Sequence, residues 1–180
     1  MAGVYLHIPY CIKKCAYCDF VSFAEPEAVG AYVDWLLREI ALAAERLPVP
    51  EVVESVFLGG GTPSLLAGAQ MAAVLDALRA RYPVAADAEI TVECNPGTVD
   101  EARLAAYRAA GVNRLSVGLQ SADDALLAAV GRIHTYARFA ETMAAAARVG
   151  FDNINVDVMH GLPGQTESAY LDTLACACSM

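Results

Sequence analysis

The stretch Ser55-Val56-Phe57-Leu58-Gly59-Gly60-Gly61 decides the fold, because a compact apolar strand ends there in three consecutive glycines. A helix-like segment over residues 69–80 follows it, and the order of strand, turn and helix recurs on both sides. Strands that alternate with helices of ten or more residues are typical of right-handed βαβ units and of a parallel sheet. We therefore expect an α/β fold.

Four more strands are predicted, over residues 4–8, 89–94, 114–119 and 153–159. Further helices are predicted over residues 27–47 and 100–110, in two stretches between 123 and 149, and from about 167. Five strands are too few for the eight-stranded barrel, which takes about 250 residues. We therefore expect an open sheet with an apolar edge, and a chain that stops, at residues 176–180, where another strand would be expected.

The composition narrows the class of protein. The 180 residues suit one domain, and 57% hydrophobic against 18% charged residues indicate a real core. A formal net charge of -9 argues against a duplex-binding role, which needs clustered cations. No run approaches the roughly 20 apolar residues of a membrane span, and residues 1–5 lack the features of a signal peptide. We expect a cytoplasmic protein, in which six cysteines are thiols or metal ligands.

Three of these cysteines, Cys11, Cys15 and Cys18, form a C-x-x-x-C-x-x-C pattern directly after the first predicted strand. Thiolates are soft ligands that suit an iron–sulfur cluster or zinc. A cubane cluster has four irons, so three cysteines leave one iron free for a ligand that is not protein. A structural zinc site needs a fourth ligand, for which His7 is the nearby candidate. The pattern favours the cluster and leaves zinc or plain buried thiols as alternatives.

Five segments resemble blocks of radical S-adenosylmethionine (SAM) enzymes, within the branch related to oxygen-independent coproporphyrinogen III oxidase. They lie in family order at residues 7–20, 57–64, 89–96, 114–121 and 155–166. The resemblance implies a partial parallel (β/α) barrel of the radical SAM type with about five βα units. It also implies a 4Fe-4S cluster on the three cysteines, whose open iron binds the amino and carboxylate groups of S-adenosylmethionine. In the family, this pair of cofactors yields a 5′-deoxyadenosyl radical.

The resemblance also implies residues that contact S-adenosylmethionine. They are Tyr5, Tyr17, Gly60, Gly61, Thr62, Glu93, Gln120, Arg132 and Asp157. The glycines and the threonine match contacts with the methionine end, and the polar residues at strand ends lie where parallel sheets bind ligands. Taken without the family, the same residues are a tight turn, solvated strand-end charges, a surface arginine and packed tyrosines.

Two differences bear on which member of the family the chain resembles. The oxidase has a further cysteine where this sequence has Phe20, and it has an N-terminal extension, whereas this chain begins just before its first strand. Both favour the heme-chaperone relatives, which bind heme and transfer it to acceptor proteins. Residues 1–180 would then be the N-terminal portion of a radical SAM core domain, with heme bound by an absent C-terminal region.

Two other hypotheses stay open. One is a genuine coproporphyrinogen III oxidase of porphyrin biosynthesis, so the sequence leaves open whether the protein is an enzyme. The other is a nonfunctional fragment that holds neither cluster nor cofactor. His134 and His160 are read as structural, with proton donation or heme ligation as the alternative, and Cys94, Cys176 and Cys178 are given no role.

Overall fold

The computed structural model describes residues 2–48, 50 and 52–179, and they form one five-stranded parallel sheet in the order β1-β2-β3-β4-β5. The strands are β1 Ala2–Ile8, β2 Val53–Gly60, β3 Val84–Cys94, β4 Arg114–Gln120 and β5 Ile154–Val158. The helices are α1 Val29–Arg46, α2 Gly68–Arg79, α3 Glu101–Ala109, α4 Asp124–Ala129, α5 Tyr136–Arg148 and α6 Glu167–Cys178. Single 3-10 turns at Pro26–Ala28 and Pro63–Leu65 precede α1 and α2.

The order of the strands confirms the predicted architecture. Each strand pairs in parallel with the next one along the chain, as in a (β/α) barrel rather than in a doubly wound sheet. Within the described residues β1 and β5 are paired on one side only, so the sheet is open. The carboxyl ends of all five strands therefore lie along one rim.

The helices cover the sheet and enclose one main core. Leu58, Val92, Leu115 and Val117 of the central strands are fully buried in it, with the apolar faces of α1, α2, α3 and α5. Helix starts follow from local sequence, as at Asp100, whose carboxylate accepts a hydrogen bond from the Arg103 amide at 2.8 Å. Because the core fixes the strands, their rim is a rigid platform for the loops.

All predicted strands and helices are present, with differences at their ends. β3 begins five residues before its predicted start, because Val84 pairs with Val53 across the sheet. The last helix extends to Cys178, so Cys176 and Cys178 are helical rather than part of a missing strand. Met1 and Met180, at the ends of the predicted domain, lie outside the described residues. Among the described helices, none combines the length and the apolar character that a membrane crossing requires.

Candidate functional site

A cavity of about 160 Å³ opens at the carboxyl rim of the strands and gathers the predicted site. Eleven of the twelve residues predicted as cluster ligands or cofactor contacts line it, and Tyr5 is the exception. They come from the loop after β1, the glycine turn after β2, the ends of β3, β4 and β5, and the loop after α4. Residues far apart in sequence thus meet in one place.

The loop after β1 carries the three cysteines and is held at several points. The amide of Cys11 donates to the Phe23 carbonyl at 2.9 Å, and the amide of Phe23 donates to the Pro9 carbonyl at 2.7 Å, which closes the loop at its base. The Cys18 amide donates to the Cys15 carbonyl at 3.1 Å. Thr62 of the glycine turn donates its hydroxyl to the Cys11 sulfur at 3.4 Å. The backbone bonds therefore fix the loop, and the Thr62 hydroxyl joins the Cys11 thiol to the turn.

The donor set fits a cubane cluster. All three cysteines are free thiols that face one cavity. Within residues 2–48, 50 and 52–179, no three histidine, cysteine or acidic side chains converge closely enough for a single metal ion. A cubane does not need such convergence, because each cysteine binds a different iron. The nitrogens of His7, the candidate fourth zinc ligand, are both engaged by other groups.

The glycine turn needs glycine at two positions. Gly60 has a φ of +113°, and a β-carbon there would lie 2.6 Å from the His7 ring. A β-carbon on Gly61 would lie 2.7 Å from the Tyr10 carbonyl oxygen. The bare backbone leaves the Gly60 amide free to donate to Glu93 Oε2 at 3.0 Å. The turn therefore brings main chain to the cavity and orients a carboxylate there.

We expect Gly60→Ala to lower the free energy of unfolding by about 2 kcal/mol or more, because positive φ and the His7 ring both oppose a side chain. Urea denaturation of the purified chain measures the change. Gly30→Ala is the matched control, since Gly30 lies in α1 and its β-carbon would meet only Gln70 Nε2, at 3.9 Å. That variant should gain about 0.5–1 kcal/mol. Equal effects of the two substitutions would contradict the strain argument.

Two carboxylates face the cavity in different settings. Burial raises the pKa of Glu93, and the nearby Asp157 raises it further, against the opposing Gly60 amide. Asp157, the exposed residue of the half-buried β5, accepts hydrogen bonds from Asn155 Nδ2 at 2.6 Å and from the Ser116 hydroxyl at 3.2 Å. Ionisation of Glu93 therefore carries an energetic cost, which a cation in the cavity would relieve.

Arg132 bridges the wall of the cavity. Its Nη2 donates to Asn95 Oδ1 at 2.8 Å and to the Gly118 carbonyl at 2.7 Å, and its Nη1 donates to the Tyr17 hydroxyl at 3.4 Å. Its Nε is buried and has no hydrogen-bond partner among the described residues. Burial raises the pKa of Tyr17 to about 12, despite the nearby guanidinium, so the phenol is neutral. The guanidinium is fixed as a donor beside the cavity.

Tyr5 lies on β1 outside the cavity lining, with 55% of its surface exposed. The Nε2 of His7 faces the Val21 carbonyl at 2.8 Å and must donate, so in the neutral ring Nδ1 accepts from the Tyr5 hydroxyl at 3.1 Å. The predicted contact of this hydroxyl with the cofactor therefore stays a prediction, and the oxygen has only acceptor capacity left for it.

Several residues that line the cavity were not predicted from the sequence. They include Lys13, Lys14, Asn95, Ser116 and Gly118. A period of two along β4 was the signal for two of them, because Ser116 and Gly118 share a face with Gln120. Asn95 follows directly after the end of β3. The lysines of the loop carried no comparable signal.

Comparison with known proteins indicates the same family as the sequence motifs. The sequence model of the Radical SAM superfamily matches residues 5–177. Heme chaperone HemW of Escherichia coli (strain K12) is 46% identical over 170 residues, 91% of this chain and 44% of that protein. The mouse protein Radical S-adenosyl methionine domain-containing protein 1, mitochondrial, is 45% identical over 96% of this chain and 39% of its own length.

The solved structure of coproporphyrinogen III oxidase (HemN) from Escherichia coli, a radical SAM enzyme, superposes with a TM-score of 0.89. It is 32% identical to this chain and covers 98% of it, which is 41% of the oxidase chain. The chain thus spans less than half the length of the curated relatives it matches.

Proposed function

The chain belongs to the radical SAM superfamily, and on that premise we propose that it holds a 4Fe-4S cluster through Cys11, Cys15 and Cys18 and serves in heme transfer. The main support for the cluster is that these thiols, the glycine turn and the strand-end polar residues line one cavity. Three thiolates leave one iron of a cubane open, which is the requirement for a small chelating ligand.

The cavity offers suitable partners for S-adenosylmethionine. Glu93 can accept from an ammonium group or from ribose hydroxyls, and Arg132 can donate to a carboxylate. The main chain of Gly60 and Gly61 allows close approach of the ligand's methionine end. When bound, the cluster and S-adenosylmethionine supply one-electron reductive chemistry at the sulfonium. The described residues bind, orient and enclose the ligand.

We further propose that the whole protein is a heme chaperone, with this chain as the N-terminal portion of its radical SAM core domain. The support is the identity to heme chaperone HemW, 46% over 91% of the chain, and the presence of Phe20 instead of a further cysteine. Heme would be bound through a C-terminal region and passed to an acceptor protein. One observation supports the alternative of a coproporphyrinogen III oxidase, namely the TM-score of 0.89 to that enzyme.

We propose that the protein is located in the cytoplasm. The support is that the six cysteines are free thiols, as is usual in a reducing compartment. Fractionation of cells that produce the protein tests this: recovery with a marker of another compartment would contradict it.

The chaperone and oxidase hypotheses predict different results for the complete protein. As a chaperone it should bind hemin with a new Soret absorption and pass heme to an apo-acceptor, without decarboxylating coproporphyrinogen III. The assay runs anaerobically with reductant and S-adenosylmethionine, and product is measured by chromatography. Conversion of coproporphyrinogen III would overturn the chaperone proposal. For residues 1–180 alone, absence of bound iron after anaerobic reconstitution would favour the nonfunctional fragment.

A further inference from the structure

The backbone at the end of β4 is strained at Gln120. With a φ of +65°, Gln120 is the one non-glycine residue of positive φ within the described part of the chain. The Ser121 amide donates to the Leu119 carbonyl at 2.9 Å, a bond across two residues that makes a γ-turn centred on Gln120. This turn is rare and costly for a residue with a side chain. Strain of this kind persists only where the surroundings enforce it.

The surroundings of the turn include the loop between α4 and α5. Arg132 of this loop donates to the Gly118 carbonyl at 2.7 Å, and His134 Nε2 lies 3.3 Å from the Leu119 carbonyl. Two side chains from one loop therefore hold two successive carbonyls of β4. β4 is irregular here, because its pairing with β5 shifts by one residue between Gly118 and Gln120.

His134 is suited to a permanent donor role. It is 5% exposed, and burial together with the neighbouring Arg132 lowers its pKa to about 4, so the ring is neutral near pH 7. A carbonyl only accepts, so the single ring proton lies on Nε2 and points to Leu119. Nδ1 is buried without a hydrogen-bond partner among the described residues. The ring therefore donates to the Leu119 carbonyl and leaves its buried Nδ1 without a partner among the described residues.

The same loop is joined to the cysteine loop. The Ala16 amide, between Cys15 and Tyr17, donates to the Val130 carbonyl at 3.0 Å. The segment from Val130 to His134 therefore connects the cysteine loop with the strained turn, and Gln120 lines the cavity between them.

We propose that His134 is a positioning residue, which holds the Leu119 carbonyl so that the γ-turn keeps the Gln120 side chain at the cavity. The inference rests on the proposed function in so far as the ligand of the cavity is S-adenosylmethionine. The strain itself is a property of the chain alone, and this allows two separate tests.

The first test uses the chain without cluster or cofactor, in urea. Gln120→Gly should raise the unfolding midpoint, because glycine adopts positive φ without strain. In the His134→Leu background the turn is free to relax, so Gln120→Gly should give no rise. An equal rise in both backgrounds would overturn the proposal, since the strain would then not depend on His134. This result is independent of whether the chain binds S-adenosylmethionine.

The second test measures S-adenosylmethionine affinity of the anaerobically reconstituted chain by calorimetry. His134→Leu should weaken binding about tenfold with iron content unchanged, and His134→Gln, which restores an N–H donor, should stay within about threefold of the parent. The double variant His134→Leu, Gln120→Ala should bind no more weakly than Gln120→Ala, because the histidine acts through the glutamine. His160→Leu, at an exposed histidine, is the matched control.

Three outcomes of this second test would overturn the proposal: unchanged affinity in His134→Leu, losses that multiply in the double variant, or loss of iron together with affinity. Failure of the parent chain to bind S-adenosylmethionine contradicts the proposed function instead, and it leaves the result in urea to decide the role of His134.

Discussion

Replacing Cys11, Cys15 or Cys18 by alanine is expected to lower the iron content of the anaerobically reconstituted chain from about four atoms per chain to nearly none. Each thiolate binds a different iron, so the loss of one leaves two irons without a protein ligand. The other cysteine near the cavity, Cys94, is a poor substitute, because burial raises the pKa of its thiol to about 12. Iron and sulfide analysis and the visible absorption spectrum measure the result.

Cys178→Ser is the matched control for this experiment. Cys178 is an exposed thiol on α6, away from the lining of the cavity, so the variant should keep its full iron and colour. Retention of about four irons in any of the three alanine variants would contradict the assigned ligands. A colourless parent chain that carries zinc would contradict the cluster itself.

The fold was predictable because its signals are local. An apolar strand followed by glycine, and a helix opened by a capping residue such as Asp100, are determined by neighbouring residues. The start of β3 was missed because residues 84–88 enter the sheet through the pairing of Val53 with Val84. Such a contact is not visible in a window of sequence.

Much of the site was predictable once the strands were. Residues at the ends of parallel strands share one rim, which brings Glu93, Gln120 and Asp157 to one cavity. The strained turn at Gln120 was not predictable, since every other described residue of positive φ is a glycine, whereas this one is held by partners elsewhere in the chain. Only the tertiary structure connects His134 with it.

Glu93→Gln is expected to weaken S-adenosylmethionine binding about tenfold or more while the cluster is retained. The substitution keeps an acceptor for the Gly60 amide but removes the negative charge that faces the cavity. Calorimetric titration of the reconstituted chain measures affinity, and iron analysis shows that the cluster is unaffected. Glu89→Gln is the matched control, because Glu89 lies on the same strand, is half exposed and pairs with Arg114 at 3.5 Å outside the cavity.

The raised pKa of Glu93 makes the same substitution stabilising. A carboxyl group whose pKa is higher in the folded chain than in the unfolded chain binds its proton more readily when folded, so stability falls as the pH rises through that range. Above that range ionisation of Glu93 therefore opposes folding, and Glu93→Gln should raise the free energy of unfolding while it lowers the affinity. Affinity of the parent should also decline as the pH falls towards the raised pKa, and that of Glu93→Gln should not. Loss of both affinity and stability, or unchanged affinity, would contradict the role of Glu93. A buried carboxylate that serves to bind a cation should lower the stability of the fold and raise the affinity for the ligand.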